Sequence, residues 1–459
     1  MSGFPADLFA GQRFYVVGLG KNGLPAVRAL TAMGATVDAW DDNASAREAA
    51  DGVALHDPAA EDFTYDALVL SPGIPHLLPQ PHLAADRARA AGVPIISDVE
   101  LLFRAVRKAG SRARFAGITG TNGKSTTTAL LAHILEGAGC EVAAGANLGP
   151  AALSLPLLGD GGIYVLEMSS YMLERLDSVR FDAAAMLNLS ADHIERHGDT
   201  AGYAAAKRAI FARQTADDLA VIGVDDAESR AMAAWLRGRP ARVVTVSGEG
   251  RADVWCDRTT LRDADGPIVD LAAAGALPGA HNAQNAAAAA AMAFAFGVAR
   301  AEIAAGILSY PGLPHRQQRV GEIDGIAFIN DSKATNAEST ARALVCHERI
   351  VWIAGGMQKE GGIVPLVEYF PRIAYALLIG RDAPGFAATL AAHQVPHDVV
   401  GTLEKAVPAA LTAARRTGAP VVLLSPACAS WDQFTGYDQR GDRFAALVDE
   451  LAAGVGRAA

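Results

Sequence analysis

The sequence predicts an α/β protein built from three domains. Its 459 residues exceed what one ordinary hydrophobic core can hold. Short apolar runs of strand type alternate with longer helical patterns along most of the chain, and this rhythm is typical of parallel sheets covered by helices on both faces. The clearest strand candidates are residues 14–17, 67–70, 115–118, 163–166, 184–187, 350–353, 376–379 and 421–424.

Two breaks in this alternation indicate domain boundaries. A helical pattern ends in the polar stretch 108–114, after which a new strand begins. The segment 310–316 contains two prolines and a glycine, which interrupt regular structure. We therefore predict domains at 1–109, 110–311 and 312–459.

Composition and charge exclude several classes of protein. The net charge of -10 weighs against a nucleic-acid partner, which would require clustered Lys and Arg. The four cysteines are scattered without a CxxC pair, so a disulfide framework or zinc site is not expected and a reducing cytosol fits. The N-terminus lacks the features of a signal peptide, and the longest apolar stretch, 286–299, is shorter than the ~20 residues that span a bilayer. We expect a cytoplasmic monomer that acts on small molecules, without membrane insertion, and we read 286–299 as a buried helix.

The first glycine loop predicts a nucleotide-binding, Rossmann-like N-terminal domain. Gly18, Gly20 and Gly23 follow the strand at 14–17 and open a helix, where glycines permit a tight turn and the helix N-terminus attracts a diphosphate. Asp41 ends a second strand at the distance expected of an acid that meets a ribose. This loop alone is also typical of a nicotinamide-dependent oxidoreductase. A segment after another strand would line the same crevice, although by itself it reads as a plain turn: Ser71, Pro72 and Gly73.

A second glycine loop at 119–126 lies between a strand and a helix and predicts ATP binding. Its backbone N–H groups would converge on phosphate oxygens, Lys124 would neutralise the β/γ charge, and Ser125 would ligate Mg²⁺. The loop is a variant, because Ile118 stands where the generic motif has glycine. The residues predicted to bind ATP here are Gly120, Thr121, Asn122, Gly123, Lys124, Ser125 and Thr126.

A carboxylate and an imidazole are expected to face this loop. Glu167 ends one strand candidate, and His193 follows another. Ligands of parallel sheets sit beyond the carboxyl ends of the strands, and Mg²⁺ prefers one or two protein ligands with phosphate oxygens and water. Taken alone, Glu167 would equally be a surface acid.

Several strings together resemble the Mur ligase family, which also includes folylpolyglutamate synthases. TGTNGKST at 119–126 is similar to the ATP loop of that family. DHIERH at 192–197, YAAAK at 203–207, DSKATN at 331–336 and SPACAS at 425–430 extend the resemblance over nearly the whole chain. The family implies a central domain of the P-loop ATPase type, a C-terminal Rossmann-like domain, and a first glycine loop that holds UDP instead of NAD.

The resemblance also implies roles for individual residues. Ser125 and Glu167 would hold one Mg²⁺ and His193 a second. Lys207, which alone would read as a surface lysine, would be carbamylated and face the metal. The implied contacts to ATP are Asn282, Asn285, Arg316, Asp331 and Lys333. Those to the UDP-linked substrate include Asn22 and Asn147, and those to glutamate are Thr335, Lys359, Ser425 and Phe434.

DSKATN is typical of the glutamate-adding branch of the family. The resemblance therefore implies an ATP-dependent ligase that adds glutamate to UDP-N-acetylmuramoyl-L-alanine through an acyl phosphate, in peptidoglycan precursor synthesis. The loop around Lys359 departs from the common GGxDKG form at Gln358 and Glu360. Three alternatives remain at this level: a ligase of another branch, a nicotinamide-dependent oxidoreductase, and a P-loop regulatory protein. Whether the glutamate is the D or the L isomer also stays open.

Overall fold

The computed structural model describes residues 3–59, 63–358 and 361–458 and confirms the α/β prediction. The chain forms two compact units. One comprises Met1–Gly275 with Ala280–Tyr310, and the other comprises Ala276–Gly279 with Pro311–Ala459. The three large sheets lie within 13–96, 114–270 and 318–424, so each predicted domain contains one of them. The two domain boundaries themselves stay predictions.

The first sheet is fully parallel, in the order β2-β1-β3-β4. Val17 at the end of β1 is in register with Trp40 on one side and Leu70 on the other. The loops that follow these three strands therefore start at the same edge. The elements are β1 (Arg13–Val17), α1 (Gly23–Ala32), β2 (Thr36–Trp40), α2 (Ala44–Glu48), β3 (Ala67–Leu70), α3 (Leu83–Ala90), β4 (Ile95–Ile96) and α4 (Asp98–Lys108).

The second sheet has nine strands in the order β13-β12-β11-β10-β9-β8-β5-β7-β6, and among the described residues it is parallel except for the β11–β12 and β12–β13 pairs. Its strands are β5 (Arg114–Thr119), β6 (Val142–Ala146), β7 (Ile163–Glu167), β8 (Ala183–Met186), β9 (Leu219–Gly223), β10 (Arg242–Ser247), β11 (Val254–Asp257), β12 (Thr260–Asp263) and β13 (Gly266–Asp270). Its helices are α5 (Lys124–Gly137), α6 (Ser170–Leu173), α7 (Ile194–His197), α8 (Thr200–Arg208), α9 (Ala227–Leu236), α10 (Ala280–Ala295) and α11 (Arg300–Ser309), with short 3₁₀ turns at Ala152–Ser154, Ala209–Phe211 and Leu271–Ala273.

Helix α10 carries the alanine-rich stretch, and its alanines at 286–290 have no exposed surface. The small side chains let α10 pack closely against α5, the helix that follows the second glycine loop. The expected buried helix is confirmed for 286–293; residues 294–295 are helical but partly buried, and 296–299 lie beyond the end of the helix. Within the ranges that the structure describes, no helix combines the length and the apolarity needed to cross a bilayer.

The second unit contains a six-stranded sheet in the order β14-β15-β20-β16-β18-β19, parallel except for the β14–β15 pair, and a small antiparallel pair, β17 with β21. Trp352 of β16 is fully buried in its core. The elements are β14 (Gln318–Ile323), β15 (Ile326–Asn330), α12 (Ala337–Leu344), β16 (Ile350–Gly355), β17 (Met357–Gln358), a 3₁₀ segment (Val364–Arg372), β18 (Ile373–Ile379), α13 (Ala383–Ala392), β19 (His397–Gly401), α14 (Leu403–Thr417), β20 (Val421–Leu424), β21 (Cys428–Ala429) and α15 (Tyr437–Ala458).

Candidate functional site

The second glycine loop joins β5 to α5 through backbone conformations that need glycine. Gly120 has a φ of 150° and Gly123, which caps α5, has a φ of 83°. A Cβ on Gly123 would lie 2.2 Å from Asn285 Oδ1, closer than atoms can approach. The loop therefore requires glycine at position 123, both for the backbone conformation and for the space that a side chain would take from Asn285.

Lys124 and Lys207 converge on one carbonyl of this loop. Lys124 Nζ donates to Gly120 O at 2.9 Å and to Thr121 O at 2.8 Å. Lys207 Nζ, from α8, donates to the same Gly120 O at 2.9 Å and to Thr119 Oγ1 at 3.3 Å. Residues that are far apart in the sequence thus place two amines at the loop predicted to hold phosphate.

The surroundings of Lys207 favour its neutral amine. The side chain is 1% exposed, and its Nζ lies 4.5 Å from the centre of the Tyr203 ring. Burial, and then the positive charge of Lys124, lower the pKa of Lys207 well below its ordinary value. An uncharged lysine amine is a nucleophile toward electrophiles such as CO₂.

Glu167 lies next to the loop at the end of β7, where its backbone pairs with Ile118 of β5. Its side chain is 2% exposed, and its Oε1 accepts a hydrogen bond from Asn147 Nδ2 at 2.6 Å. The other oxygen, Oε2, is buried and has no hydrogen-bond partner among the described residues. A buried oxygen of this kind normally has a partner, so the position fits a bound cation.

The donor set fits Mg²⁺ better than a metal held by protein alone. Among the described residues, no group of three His, Cys, Asp or Glu side chains is placed to hold a metal ion. Ser125, in the first turn of α5, and Glu167 offer oxygen atoms, and Mg²⁺ commonly completes such a partial set with phosphate oxygens and water.

His193 joins the same cluster through aromatic side chains. It precedes α7 with a φ of 52°, and its Nδ1 lies 2.8 Å from Tyr171 Oη. Its ring centre is 6.1 Å from that of Tyr203, the ring that Lys207 covers. His197, in contrast, is buried against Ser170 Oγ at 2.9 Å, and its Nδ1 lies 3.6 Å from Glu174 Oε2, so it supports the turn.

Two amide side chains stabilise the loop, and one of them was not predicted. Asn188 follows β8, accepts from Asn122 N at 2.8 Å and donates to Asn122 O at 3.1 Å. From α10, Asn285 accepts from Thr127 Oγ1 at 3.2 Å and donates to Asn282 Oδ1 at 3.1 Å. In the sequence, Asn188 stands directly after the strand candidate 184–187, but this position does not identify Asn122 as its partner.

The first glycine loop is closed by residues from the neighbouring strand ends. Gly18 has a φ of 91°, and its carbonyl accepts from Ser71 Oγ at 2.7 Å. A Cβ on Gly23 would lie 1.7 Å from the same carbonyl oxygen. Asp41 Oδ2 accepts from Leu19 N at 2.6 Å, so this carboxylate holds the loop itself. The predicted crevice residues Gly18, Gly20, Asp41, Ser71, Pro72 and Gly73 all lie in loops at one edge of the first sheet.

Asn147 and Asn22 connect this crevice to the second sheet. Asn147 bonds Glu167 through its side chain, and its carbonyl accepts from Lys21 Nζ at 3.0 Å. Asn22 Nδ2 donates to Asp98 Oδ2 at 2.9 Å, and the same oxygen accepts from Ala152 N at 3.3 Å. The predicted UDP site and the predicted metal carboxylate are therefore linked by direct hydrogen bonds.

In the second unit, Asp331 and Ser425 form a buried pair. Ser425 has no exposed surface, and its hydroxyl donates to Asp331 Oδ2 at 2.7 Å. Gln317 N donates to the other carboxylate oxygen at 3.2 Å. Burial raises the pKa of Asp331 to about 7, although the hydrogen bond from Ser425 by itself lowers that pKa. Ser425 therefore acts on Asp331, and its hydroxyl is not exposed to a ligand in this structure.

Tyr437 and Arg440, which sequence reasoning missed, organise the DSKATN segment. Lys333 Nζ donates to Tyr437 Oη at 2.7 Å and lies 4.1 Å from the centre of its ring. Arg440 is 1% exposed and donates to the carbonyls of Ser332 and Cys428. Both residues lie on α15, distant in sequence from the segment they support.

The other predicted residues of this unit have fewer described contacts. Thr335 N donates to Lys333 O at 2.9 Å, and Phe434 N donates to Ser430 O at 2.9 Å. The Phe434 side chain is partly buried against the core. Arg316 N donates to Leu313 O at 3.2 Å. The predicted contact Lys359 lies outside the described residues.

Comparisons with known proteins agree with this architecture. The model of the Mur ligase middle domain matches residues 118–293. A Paramagnetospirillum magneticum protein named UDP-N-acetylmuramoylalanine–D-glutamate ligase is 50% identical, over 97% of this chain and 98% of its own. A Rhodospirillum rubrum protein of the same name is 47% identical, over 98% of this chain and 96% of its own. The crystal structure of MurC, the UDP-N-acetylmuramate-alanine ligase from Thermotoga maritima, matches with a TM-score of 0.59 at 17% identity, over 96% of this chain and 99% of that one, and shows a shared fold.

Sequence identity of 47–50% to named ligases, over nearly the full length of both chains, places this protein in the class of ligases. The chain belongs to the Mur ligase family, as its motifs predicted.

Proposed function

We propose that the chain is the enzyme that joins D-glutamate to UDP-N-acetylmuramoyl-L-alanine in peptidoglycan precursor synthesis, with ATP as the energy source. Several relatives with that printed name are between 44% and 50% identical over nearly the whole chain. The observation that carries the proposal is the convergence of Lys124 and Lys207 on Gly120 O, next to the half-satisfied carboxylate of Glu167. A nicotinamide-dependent oxidoreductase would leave this cluster without a use.

The proposed reaction has two steps. The alanyl carboxylate attacks the γ-phosphorus of ATP, the bond to the β–γ bridging oxygen breaks, and ADP leaves with an acyl phosphate formed. The glutamate amine then attacks the acyl carbon, loses a proton and expels inorganic phosphate. Catalysis of this kind depends on positioning and on charge neutralisation more than on covalent participation by the protein. Lys124, at the start of α5, supplies one positive charge, and we assign Arg316 another.

Two Mg²⁺ ions are part of the proposal. Ser125 and Glu167 would hold one and His193 the other, and the ions would supply neutralisation of charge on the transferred phosphoryl group. The unpaired Oε2 of Glu167 supports the first assignment. Asn147 orients that carboxylate through the opposite oxygen, which is the usual arrangement around a metal-bound carboxylate.

We propose that Lys207 is carbamylated. Its neutral amine would attack CO₂, forming an N–C bond and releasing a proton, so that a potential cation becomes an anion. This change removes the repulsion from Lys124 and places negative charge near the cation site. Burial and the positive charge of Lys124 both disfavour a protonated lysine relative to water, which supports this chemistry.

In the second unit, the proposed nucleotide contacts are Asp331 and Lys333, and the proposed amino-acid contacts are Thr335, Lys359 and Phe434. A dicarboxylate amino acid needs cations or N–H donors to leave water, which favours a lysine at this site. Ser425 would act through Asp331, because its hydroxyl is buried against that carboxylate. On the nucleotide side of the first unit, Asn282 and Asn285 would act by holding the glycine loop. We also propose a cytoplasmic location and small-molecule partners only.

The test is a coupled assay of ADP release with UDP-N-acetylmuramoyl-L-alanine and either D- or L-glutamate. We expect ADP only when the muramoyl substrate and D-glutamate are both present. A Lys124→Met variant should lose activity by about 100-fold or more, as when one charge-stabilising donor is removed. Lys108→Met, at the end of α4 and over the Phe9 ring, is the matched control and should remain active. ADP release that ignores the amino acid, or a requirement for L-glutamate, would refute the assignment.

A further inference from the structure

The segment from Ser71 to His76, which follows β3 in the predicted substrate crevice, is held by a buried arginine of the second sheet's helices. Arg175 follows α6 and is 2% exposed. Its NH1 donates to Leu70 O at 2.6 Å and to Ser71 O at 3.0 Å, and its NH2 donates to Ile74 O. One guanidinium thus bonds three main-chain carbonyls, one at the end of β3 and two in the segment that follows it.

A second buried arginine reaches the same turn from a different helix. Arg196 lies in α7, is 6% exposed and donates to Ile74 O at 3.2 Å. Its Nε also donates to Glu174 Oε1 at 3.1 Å, and the same oxygen lies 3.1 Å from His76 Nδ1. Glu174 therefore connects Arg196 to the end of the segment.

Glu174 is charged under ordinary conditions. Burial alone would raise its pKa, but hydrogen bonds from His76 and Arg196 outweigh that effect and lower it. The cluster of Arg175, Arg196 and Glu174 is therefore a set of buried charges whose donors are directed at one loop. Buried charges of this kind are costly unless they are fully paired, and they fix one geometry when they are.

The two arginines lie on or directly after the helices that follow the proposed metal ligands: Arg196 is in α7, and Arg175 lies two residues beyond the end of α6. Helix α6 begins shortly after Glu167, and α7 begins directly after His193. A shift of the Ser71–His76 segment would therefore be resisted by the same helices that place Glu167 and His193. A main-chain hydrogen bond also joins the start of α4 to the residue that carries the first guanidinium, since Ser97 N donates to Arg175 O at 3.3 Å.

We propose that Arg175 and Arg196 are positioning residues for the UDP-linked substrate. They fix the Ser71–His76 segment relative to the phosphate loop, so that the carboxylate to be activated meets the γ-phosphate in line. Neither guanidinium is proposed to touch the substrate, since their described donors are directed at Ile74 O and neighbouring groups. The inference rests on the proposed ligase function and adds residues to it.

The test separates substrate positioning from general stability. In Arg175→Met, we expect the KM for UDP-N-acetylmuramoyl-L-alanine to rise by about tenfold or more, with the KM for ATP unchanged, as for other supporting residues that orient a site. Glu174→Gln, which keeps the shape but removes the charge, should give a smaller rise in the same constant. It is measured in parallel, so that the idea is tested even if Arg175→Met does not fold.

The matched control is Arg107→Met. Arg107 also donates to two main-chain carbonyls, Ser111 O and Ala113 O at 2.9 Å each, but away from this crevice. We expect it to lose stability without a change in either KM. An active wild type whose Glu174 and Arg175 variants keep the substrate KM, or change both KM values equally, would overturn the inference. An inactive wild type would instead refute the proposed function.

Discussion

Lys124 and Lys207 donate to the same carbonyl oxygen, Gly120 O, at 2.9 Å each. Two amines at one acceptor repel each other if both are protonated, and the more buried one gives way. The pKa of Lys207 is accordingly lowered, by burial first and by Lys124 second. This relationship connects the phosphate loop to a lysine far away in the sequence. It also favours a neutral, nucleophilic amine at that lysine, whereas a surface lysine is protonated.

Removal of the Lys207 amine should therefore abolish most of the activity. We expect kcat of Lys207→Ala to fall by about 100-fold, which is the largest loss commonly seen when a group that orients a metal site is removed. Added acetate should restore part of the activity. Wild-type enzyme depleted of CO₂ should lose activity and regain it with bicarbonate. NMR with isotope-labelled bicarbonate should show one carbamate signal that is absent from the variant. Full activity of Lys207→Ala, unaffected by acetate or bicarbonate, would contradict the assignment.

The backbone of the phosphate loop offers a test that changes no charge. Gly123→Ala would place a methyl group 2.2 Å from Asn285 Oδ1 at a residue with a φ of 83°. We expect kcat/KM for ATP to fall by about 100-fold, since displacement by about 1 Å costs that much at a reacting centre. Gly137→Ala, at the end of the same helix, has no described atom within 4 Å of the added Cβ and should leave ATP kinetics unchanged. Equal kinetics for the two variants would show that the loop geometry is not limiting.

Asp331 should make stability depend on pH. Burial raises its pKa from 3.8 to about 7, so between these values the folded chain binds more protons at this site than the unfolded chain. Stability must then fall as pH rises through that window, by at most about 1.4 kcal/mol per pH unit from this group. Asp331→Asn should lack this contribution. The difference between its urea midpoint and that of the wild type should therefore shift in favour of the variant as the pH rises from 3.8 to about 7. A constant difference between the two midpoints across the window would rule the effect out.

Ser425 provides a related but separate prediction. Its hydroxyl is buried and donates to Asp331 at 2.7 Å, so Ser425→Ala leaves a buried carboxyl group without that partner. We expect a loss of about 1–3 kcal/mol in unfolding free energy with the KM for glutamate unchanged. Thr335→Val is the comparison, because it should raise the KM for glutamate. If Ser425→Ala instead raised that KM at full stability, the hydroxyl would belong to the amino-acid site.

Much of the fold follows from local sequence signals. The runs at 115–118 and 163–166 lie within the observed β5 and β7, because a continuous apolar run between polar turns favours a strand buried on both faces. The antiparallel β12, with the sequence TLRD, was missed because a four-residue, mostly polar strand carries no hydrophobic pattern. The alanine-rich α10 was predicted as buried, since alanine favours helix and permits close packing.

The candidate site was less accessible to prediction where residues act through tertiary contacts. Gly123 and Lys124 are marked by the loop motif itself. Arg175, Tyr437 and Asn188 carry no local signal of their partners, because their partners lie at Leu70, Lys333 and Asn122, far away along the chain. Such contacts are set by how the sheets pack, and a single sequence does not contain that geometry.

The central claim is that the chain activates a carboxylate by phosphorylation. The most direct measurement places a heavy oxygen isotope in the alanyl carboxylate of UDP-N-acetylmuramoyl-L-alanine and follows the label during turnover with ATP and D-glutamate. Attack on the γ-phosphate predicts that one labelled oxygen appears in each inorganic phosphate released, and that Lys124→Met abolishes the transfer. Inorganic phosphate without the label, at normal rates of amide formation, would contradict the account.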